Sequence, residues 1–459
     1  MPQKQNNRVH LVGIGGIGVS ALAQFYLSQN WQVSGSDLQS SEITRSLAQK
    51  GVKISHKHLK SNITGKISVV IRSPAVSPDN PEIKKAEQLK IPVLSYPQAL
   101  GQLTRKHKTV AVAGTHGKSS TVGLIALMAI KNRLDPTVIV GAKIKEFDPP
   151  QGTNFRAGKS NLLIIEADEW QASFLNYSPS LAIITNIDND HLDYYKNLTQ
   201  IQNAFLQFIQ TLKNNGVLIL NRDDKNILAI KSSIGKIASD KNLKILWYSL
   251  ASSKSKIKKL KPKIKLFGRH NYSNLLAALK AAEALGIKES KALNAIKNFG
   301  GAWRRLEKKG VFKTNSQAFT VFDDYAHHPT EVKAALSALK AKDQASLICV
   351  FQPHLQKRLK QLFAEFEAAF QESDCTIILP AYKAPGRDLK GKLNLSQKLA
   401  NSISKSGKPA VFVNQFSEIK PEIQIFAQQC PNRKKFNVVM MGAGDIFSFT
   451  PLLLKQKIS

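Results

Sequence analysis

The sequence predicts an α/β protein of three domains. The N-terminal one is Rossmann-like, the central one a P-loop ATPase-like domain on a parallel sheet, and the C-terminal one again Rossmann-like. Three observations predict this. Short apolar runs alternate with helical patterns along the chain, as in parallel doubly wound folds. Many of those runs are continuously apolar and end on polar residues, the pattern of strands buried on both faces. Two glycine-rich turns of different type, GIGGIG and GTHGKS, each stand between an apolar run and a helical one. A chain of 459 residues has room for about three such domains, and the boundaries are expected at 1–105, 106–302 and 303–459.

In the first hundred residues RVHLVGIG is a strand entering a turn, IGVSALAQFYLSQN is helical and WQVSGSD is a second strand. ISVVIRSPAV and IPVLSYP supply two more. The central domain opens with KTVAVAGTHGKSS and continues through NLLIIEADE, LAIITNID and GVLILNRDD. After FGGAWRR come QAFTVFDDYAHHP, ASLICVFQPH, DCTIILPAY, AVFVN and FNVVMMGAGD. No short-period repeat or coiled-coil heptad interrupts this order. Ligands of open parallel sheets lie beyond the carboxyl ends of the strands, and here those ends are rich in Asp, Glu, His and Gly.

Composition bounds the function. The hydrophobic fraction of 42% is enough for packed cores. No stretch approaches the roughly 20 uncharged apolar residues of a membrane span, so no membrane insertion is expected. The start, MPQKQNNRVHLVG, moves directly into a strand pattern without a signal-peptide core. Cys349, Cys375 and Cys430 form neither a CxxC pair nor an even framework, and read as reduced thiols of a cytoplasmic protein. Lys and Arg number 66 against 32 Asp and Glu, a formal charge of +34. That balance favours phosphorylated small molecules or nucleic acid as partners. The densest run, SSKSKIKKLKPKIK at 252–265, lacks interleaved aromatics, and such runs are usually solvated faces. A nucleic-acid-binding ATPase stands as the alternative from another class; it predicts steeply salt-dependent retention on nucleic acid.

GIGGIG places Gly13, Gly15 and Gly18 in G-x-G-x-x-G spacing. Such glycines allow a tight turn and bring backbone N–H groups close to a diphosphate at a helix N-terminus. Asp37, closing the second strand, stands where a ribose-binding acid would lie. A nicotinamide dehydrogenase satisfies this turn, and so does a nucleotide-sugar diphosphate. The second turn departs from the full G-x-x-x-x-G-K-[ST] loop, with Val112 at the first glycine position and a glycine at Gly114 instead. Its physics is unchanged: backbone amides wrap phosphate oxygens, Lys118 reaches the terminal phosphates and the Ser119 hydroxyl can bind Mg²⁺. Glu166, in IIEADEW at a strand end, is a natural partner for Ser119. NIDNDHLDYY adds Asp190, His191 and Asp193 after the next strand. Strand-end acids are often only solvated, but clustering after successive strands of one sheet favours a metal–phosphate site. A dehydrogenase leaves this second turn unexplained.

With these residues assembled, the chain resembles the Mur ligase family, which makes amide bonds using ATP. The likeness runs from about residue 8 to 450 through HLVGIGGIGVSALA, VSGSD, RSPAVSPDNPEI, AGTHGKSST, EADE, SFL, TNIDNDHLDYY, GRHNYSNLLAA, RRLE, FDDYAHHPTE, FQPH and GAGDI. It implies a ligase that joins the lactyl carboxylate of UDP-N-acetylmuramate to a free amino acid, with L-alanine expected, through an acyl phosphate in peptidoglycan precursor synthesis. A ligase adding a preformed peptide to the same sugar nucleotide is the alternative inside the family; DHLDYY and FQPH favour the free amino acid.

The resemblance also implies roles for single residues. The sugar nucleotide falls to Gly15, Gly16, Ile17, Gly18, Ser20, Asp37 and Ser73, and ATP to Gly114, Thr115, His116, Gly117, Lys118, Ser119 and Ser120. Ser119 and Glu166 would help bind one Mg²⁺ and His191 the other. Asn271 and Asn274 would lie on the adenine side, Arg305 would reach the γ-phosphate and Asp324 the ATP ribose. Lys118, Glu166, His191 and Arg305 form the implied catalytic set. His327 and Arg358 fall on the amino-acid side, although His327 and His328 are equally suited to packing a helix start before Pro329. Other family members use a carbamoylated lysine some 15 residues beyond the histidine; NAFLQF offers none, which fits the alanine-adding branch. Two departures stand out. The branch usually reads FQPHRYTR, and here Leu355 takes the first arginine's place while Arg358 keeps the second. After EADE comes WQASFL, so Trp170 replaces the usual acidic-glycine wording. A monomer or homodimer is expected.

Overall fold

The computed structural model describes residues 7–192, 194–314, 316–382 and 394–455, and the apolar runs form three sheets in it. The first holds β1 (Arg8–Val12), β2 (Gln32–Ser36), β3 (Lys53–Ser55), β4 (Val69–Arg72) and β5 (Val93–Ser95), all parallel, in the order β3-β2-β1-β4-β5. This doubly wound order reverses between β1 and β4, where such sheets open a crevice for ligands.

The second sheet holds β6 (Lys108–Ala113), β7 (Thr137–Ile144), β8 (Thr153–Arg156), β9 (Leu162–Glu166), β10 (Leu181–Ile184), β11 (Val217–Asn221) and β12 (Lys244–Tyr248). Its order is β12-β11-β10-β6-β9-β7-β8, and only β8 runs antiparallel. The third holds β13 (Glu307–Lys313), β14 (Ala318–Asp324), β15 (Ser346–Phe351), β16 (Cys375–Ile378), β17 (Ala410–Phe412) and β18 (Lys435–Met441), in the order β13-β14-β18-β15-β16-β17. Here only β13 is antiparallel to its neighbour. The inner strands are buried almost end to end, whereas β12 and β13, both at sheet edges, carry lysines, which discourage edge-to-edge pairing.

Five helices carry or brace most of the candidate functional residues, and Arg358 lies on a further one, Gln356–Gln361. α1 (Ile17–Ser28) leaves the first glycine turn. α2 (Pro81–Gln88) starts with Asn80 accepting the Glu82 N–H and Pro81 in the first turn, a standard helix start. α3 (Lys118–Lys131) leaves the second glycine turn and is buried from Ser119 to Ala129. Its Gly123 allows close packing: a Cβ there would lie 3.0 Å from Ile144 and 3.1 Å from Phe299. α4 spans Arg269–Ala284 and α5 spans Pro329–Lys340. His328, 3% exposed, caps α5 by accepting the Thr330 N–H at 3.3 Å.

The chain forms two compact units: the part up to Lys256 together with Asn274–Phe299, and Ile257–Ser273 together with the part from Gly300 onward. The first unit holds the first two sheets. Its core includes Val9, Leu22, Leu163, Ile165, Phe174 and Phe208, and the last two stack at 4.8 Å. In the second unit Phe319 lies between Phe312 and Phe436, with centroids 4.6 and 5.0 Å away. Burying such a side chain contributes about 1.5–3 kcal/mol. All three cysteines are free thiols. Among the described residues, no helix is long and apolar enough to cross a membrane.

Candidate active site

The second glycine turn is held from below by the end of β10. Asn186 accepts the Thr115 N–H with its carbonyl at 3.2 Å and the His116 N–H with its side-chain oxygen at 2.8 Å. The Thr185 hydroxyl and Asn186 amide both donate to the His116 carbonyl. The Thr115 hydroxyl accepts the Asp188 N–H at 2.9 Å, and the His116 ring lies 3.0 Å from the Asp188 carboxylate. Gly114 and Gly117 have φ of +129° and +83°, where an L side chain is strained. A Cβ at Gly114 would also run into the Thr185 hydroxyl, and one at Gly117 into the Asn274 amide. The glycines thus let the loop close over β10 and bring Asn274 against it. Asn271 instead donates to the Phe267 carbonyl at 2.9 Å.

From this loop α3 presents Lys118 and Ser119. The Ser119 hydroxyl, 6% exposed, donates to Glu166 Oε2 at 2.7 Å, and the Gly141 N–H donates to the same oxygen at 2.8 Å. A hydroxyl and a carboxylate oxygen thus converge beside the loop, the hard-oxygen chemistry that Mg²⁺ takes. Lys118 Nζ donates to the Gly114 carbonyl at 2.8 Å, the Thr115 carbonyl at 3.3 Å and Glu169 Oε2 at 2.9 Å. Asp168 stands 3.8 Å away. Burial alone would lower the Lys118 ammonium, but Glu169, Asp168 and Glu166 outweigh it and hold the pKa above the lysine range.

Glu169, which the sequence leaves without a role, is the centre of this cluster. It is 2% exposed, and among the described residues its Oε1 makes no hydrogen bond but lies 3.7 Å from His191 Nε2. Tyr195 donates its hydroxyl to the Glu169 carbonyl at 2.7 Å, so both the histidine and the second tyrosine of DHLDYY anchor this one residue. His191 sits at φ +54° with its N–H on Asp190 Oδ1 at 2.6 Å, and its buried Nδ1 has no hydrogen-bond partner among the described residues. Asp168, Glu169 and His191 each offer a ligand atom within 4.8 Å of the others, and Glu169 Oε1 is left without a hydrogen bond among the described residues, which suits a cation site. The one sign available in the sequence was the third carboxylate of EADE, three residues after Glu166. Asp193 lies outside the described residues.

The first glycine turn is held by the end of β2. The Ser36 carbonyl accepts the N–H groups of Gly13 and Ile14 at 2.8 and 3.0 Å, and Asp37 Oδ2 accepts that of Gly15 at 2.9 Å. The Gly16 N–H turns back to the Gly13 carbonyl. The amides opening α1, from Ile17 and Gly18, are among those a helix cannot satisfy internally. Gly18 packs on Tyr96, whose ring would lie 2.7 Å from an added Cβ. Gly13 and Ser73 flank the crevice between β1 and β4, with the Ser73 N–H on the Val12 carbonyl at 2.9 Å. Ser20 points elsewhere: it is buried, donates to the Ile17 carbonyl and accepts from Asn154.

In the second unit the two arginines of RRLE part company. Arg304 is 2% exposed, donates to the carbonyls of Gly442 and Gly444, and lies 4.3 Å from the Phe447 ring centre. Arg305 instead pairs with Glu331 Oε1 at 3.3 Å and lies over Tyr325. Glu331 also accepts the His327 N–H at 3.2 Å. The His327 ring lies 5.7 Å from that of His354, and Arg358 Nη1 lies 3.5 Å from His354 Nδ1. Arg305, His327 and Arg358, drawn from three separate motifs, therefore belong to one chain of contacts. Leu355, 7% exposed, sits at φ +68° beside it. Asp324 accepts the N–H groups of Leu306 and Ala326; burial pushes its carboxyl up to about 6 against the pull of Arg305. Burial also brings His270 down to about 4, assisted by Arg305, so it is neutral near pH 7.

Comparison with known families decides the relationship. Residues 8–108 match the Mur ligase family catalytic domain, 112–282 the Mur ligase middle domain and 304–444 the Mur ligase glutamate ligase domain. The chain belongs to the Mur ligase family. This Mur ligase is 36% identical over 467 residues to the UDP-N-acetylmuramate–L-alanine ligase of Acetivibrio thermocellus, covering 98% of this chain and 96% of that one. It is 37% identical over 466 residues to the enzyme of the same name from Clostridium perfringens, covering 98% of each. Among solved structures, the UDP-N-acetylmuramate-alanine ligase of Thermotoga maritima superposes with a TM-score of 0.76 at 26% identity, covering 98% of each chain.

Proposed function

We propose that this Mur ligase uses ATP to join L-alanine to the lactyl carboxylate of UDP-N-acetylmuramate, a step of peptidoglycan precursor synthesis that we place in the cytoplasm. Its likeness to alanine ligases of that specificity covers 98% of the chain, and this is the observation that carries the proposal. The built phosphate loop, with Lys118 and the Ser119–Glu166 pair at its mouth, supports it.

A carboxylate must be activated before an amine can displace its oxygen. The lactyl carboxylate attacks the γ-phosphorus of ATP, which releases ADP and leaves an acyl phosphate. The amino group of alanine then attacks the acyl carbon, and the tetrahedral adduct collapses to the amide and inorganic phosphate. Phosphoryl transfer asks the protein mainly for positioning and charge neutralisation. Lys118 neutralises the terminal phosphates and Arg305 the transferring phosphoryl group. Gly114, Thr115, His116, Gly117 and Ser120 line the phosphate loop. Asn271 and Asn274 serve the adenine side, and Asp324 the ribose. Ser119 and Glu166 would hold one Mg²⁺, with His191 and the Glu169 carboxylate at the second cation position; bound magnesium supplies neutralisation of phosphate charge. Gly15, Gly16, Ile17, Gly18, Asp37 and Ser73 serve the sugar nucleotide, and His327 with Arg358 the alanine carboxylate. The work divides among domains at 1–105, 106–302 and 303–459.

The test is phosphate release from ATP·Mg²⁺ and UDP-N-acetylmuramate with each common amino acid in turn. Release fastest with L-alanine, and absent without the sugar nucleotide, is the expected outcome. Release indifferent to either substrate would contradict it.

A further inference from the structure

Glu82 is fully buried, at 0% exposure, inside the first turn of α2. Its Oε2 accepts the Ser36 hydroxyl at 2.5 Å and lies 3.3 Å from His58 Nδ1. Its Oε1 accepts the Asn62 amide and lies 3.7 Å from His10 Nε2, while the other nitrogen of that ring is 2.9 Å from the Ser34 hydroxyl. A carboxylate taken out of water is costly unless several donors meet it. Here Ser36 from β2 and His58 and Asn62 from the segment after β3 meet it within hydrogen-bond distance, and the His10 ring from β1 lies beside it. None of them belongs to the catalytic set, and the proposed reaction gives no role to the NPEI segment that carries Glu82.

The network leads to the first glycine turn. Ser36, fixed through its side chain by Glu82, uses its carbonyl to take the amides of Gly13 and Ile14. The next residue, Asp37, takes the amide of Gly15. Three successive amides of the turn therefore hang on Ser36 and Asp37, and the direction in which α1 opens follows from them. We infer that Glu82 is a positioning residue for sugar-nucleotide binding: it fixes Ser36, Ser36 fixes the turn, and the first amides of α1 are thereby aimed at the diphosphate. This rests on the assignment of the sugar nucleotide to the first turn.

The experiment is calorimetric titration of the full chain with UDP-N-acetylmuramate and, separately, with ATP·Mg²⁺. It compares wild type, Glu82→Gln, Ser36→Ala and Gly13→Ala, with thermal melting and steady-state kinetics on each. Glu82→Gln and Ser36→Ala are expected to raise the Kd and KM for the sugar nucleotide about tenfold, the effect of losing one charge-assisted hydrogen bond. The KM for ATP and kcat at saturating sugar nucleotide should stay within about twofold, since only uniform binding of one substrate is removed. If Glu82→Gln fails to fold, Ser36→Ala carries the test. Gly13→Ala, which forces a Cβ at φ +78° to within 2.8 Å of Ser73, reports on the assignment itself. Undiminished sugar-nucleotide affinity in Gly13→Ala would remove that assignment and the inference with it. Loss in Gly13→Ala but not in Ser36→Ala or Glu82→Gln would overturn the inference alone. Equal loss of ATP and sugar-nucleotide binding would reduce Glu82 to a purely structural role and overturn it as well.

Discussion

Lys118 and Glu169 form a buried ion pair, Nζ to Oε2 at 2.9 Å, and the other oxygen of the same carboxylate faces His191. The pair couples the phosphate loop to the end of β10 through one side chain. The lysine's donors are turned to Glu169 and to two loop carbonyls. ATP phosphates that engage the ammonium have to compete with these acceptors.

Lys118→Ala should abolish ligation while UDP-N-acetylmuramate binding survives, because that ligand is assigned to the first turn. It should also lower the melting temperature, since removing one partner of a buried pair leaves an uncompensated charge worth about 3–5 kcal/mol. Adding Glu169→Ala to Lys118→Ala should recover much of that stability. Calorimetry and thermal melts on the single and double variants check both halves. Equal loss of sugar-nucleotide affinity in Lys118→Ala would count against the division between the two turns.

Ser119→Ala and Glu166→Gln should weaken magnesium rather than ATP itself. The magnesium concentration for half-maximal activity is expected to rise about tenfold or more in each, as for other lost ligand-shell groups. Direct Mn²⁺ binding followed by electron paramagnetic resonance gives the same information without turnover. Unchanged metal affinity in both variants would remove the pair from the metal site.

The two arginines of RRLE should separate cleanly. Arg305→Ala is expected to cost kcat about 10³-fold or more, as for other arginines acting on a transferring phosphoryl group, with little change in melting temperature. Arg304→Ala should act on stability, because its guanidinium serves the Gly442 and Gly444 carbonyls inside an aromatic cage. A lowered melting temperature for Arg305→Ala and not for Arg304→Ala would reverse the assignment.

Two buried carboxyl groups tilt the acid stability in opposite directions. Burial works to raise Glu82, but His10, Ser36 and Asn62 outweigh it and hold the group at about 2, below its usual 4.5. Its stabilisation is therefore present above about pH 4.5 and is lost as pH falls toward 2. Asp324 is raised from 3.8 to about 6, chiefly by burial, so its contribution is full below pH 3.8 and fades as pH rises through 6. Denaturant unfolding across this range should show a shallower acid loss in Glu82→Gln and a flatter profile between pH 4 and 6 in Asp324→Asn, roughly following those shifts. Profiles identical to wild type would contradict both assignments.

The legible part of the fold was the part buried on both faces. KTVAVA, NLLIIE, LAII and the run SLICVF are continuous apolar stretches, and each is an inner strand. The strands that escaped were β3, β7, β8, β12 and β13. KIS is only three residues long and EKKGVFK carries the charges that protect a sheet edge, which breaks up the apolar signal, whereas KILWY and the inner strand TVIVGAKI escaped although their runs are apolar. At the site, Lys118, Ser119 and Glu166 were legible because a strand, a glycine loop and a helix start fix their places in sequence. Glu169 was not. Its role depends on burial between Lys118 and His191, residues 51 positions before and 22 after it, and no local spacing encodes that. Ser20 stood in the right motif, but its hydroxyl is taken up by the Ile17 carbonyl and the Asn154 amide, partners that no local spacing encodes. The joining of Arg305, His327 and Arg358 likewise passes through Glu331 and His354, which motif spacing left unassigned.

The central claim is that the lactyl carboxylate attacks the γ-phosphorus of ATP. It is tested most directly by supplying UDP-N-acetylmuramate with oxygen-18 in that carboxylate and weighing the products by mass spectrometry. Direct attack predicts that one labelled oxygen appears in the inorganic phosphate, with ADP as the nucleotide product. Unlabelled phosphate, or label recovered in AMP with release of pyrophosphate, would contradict it.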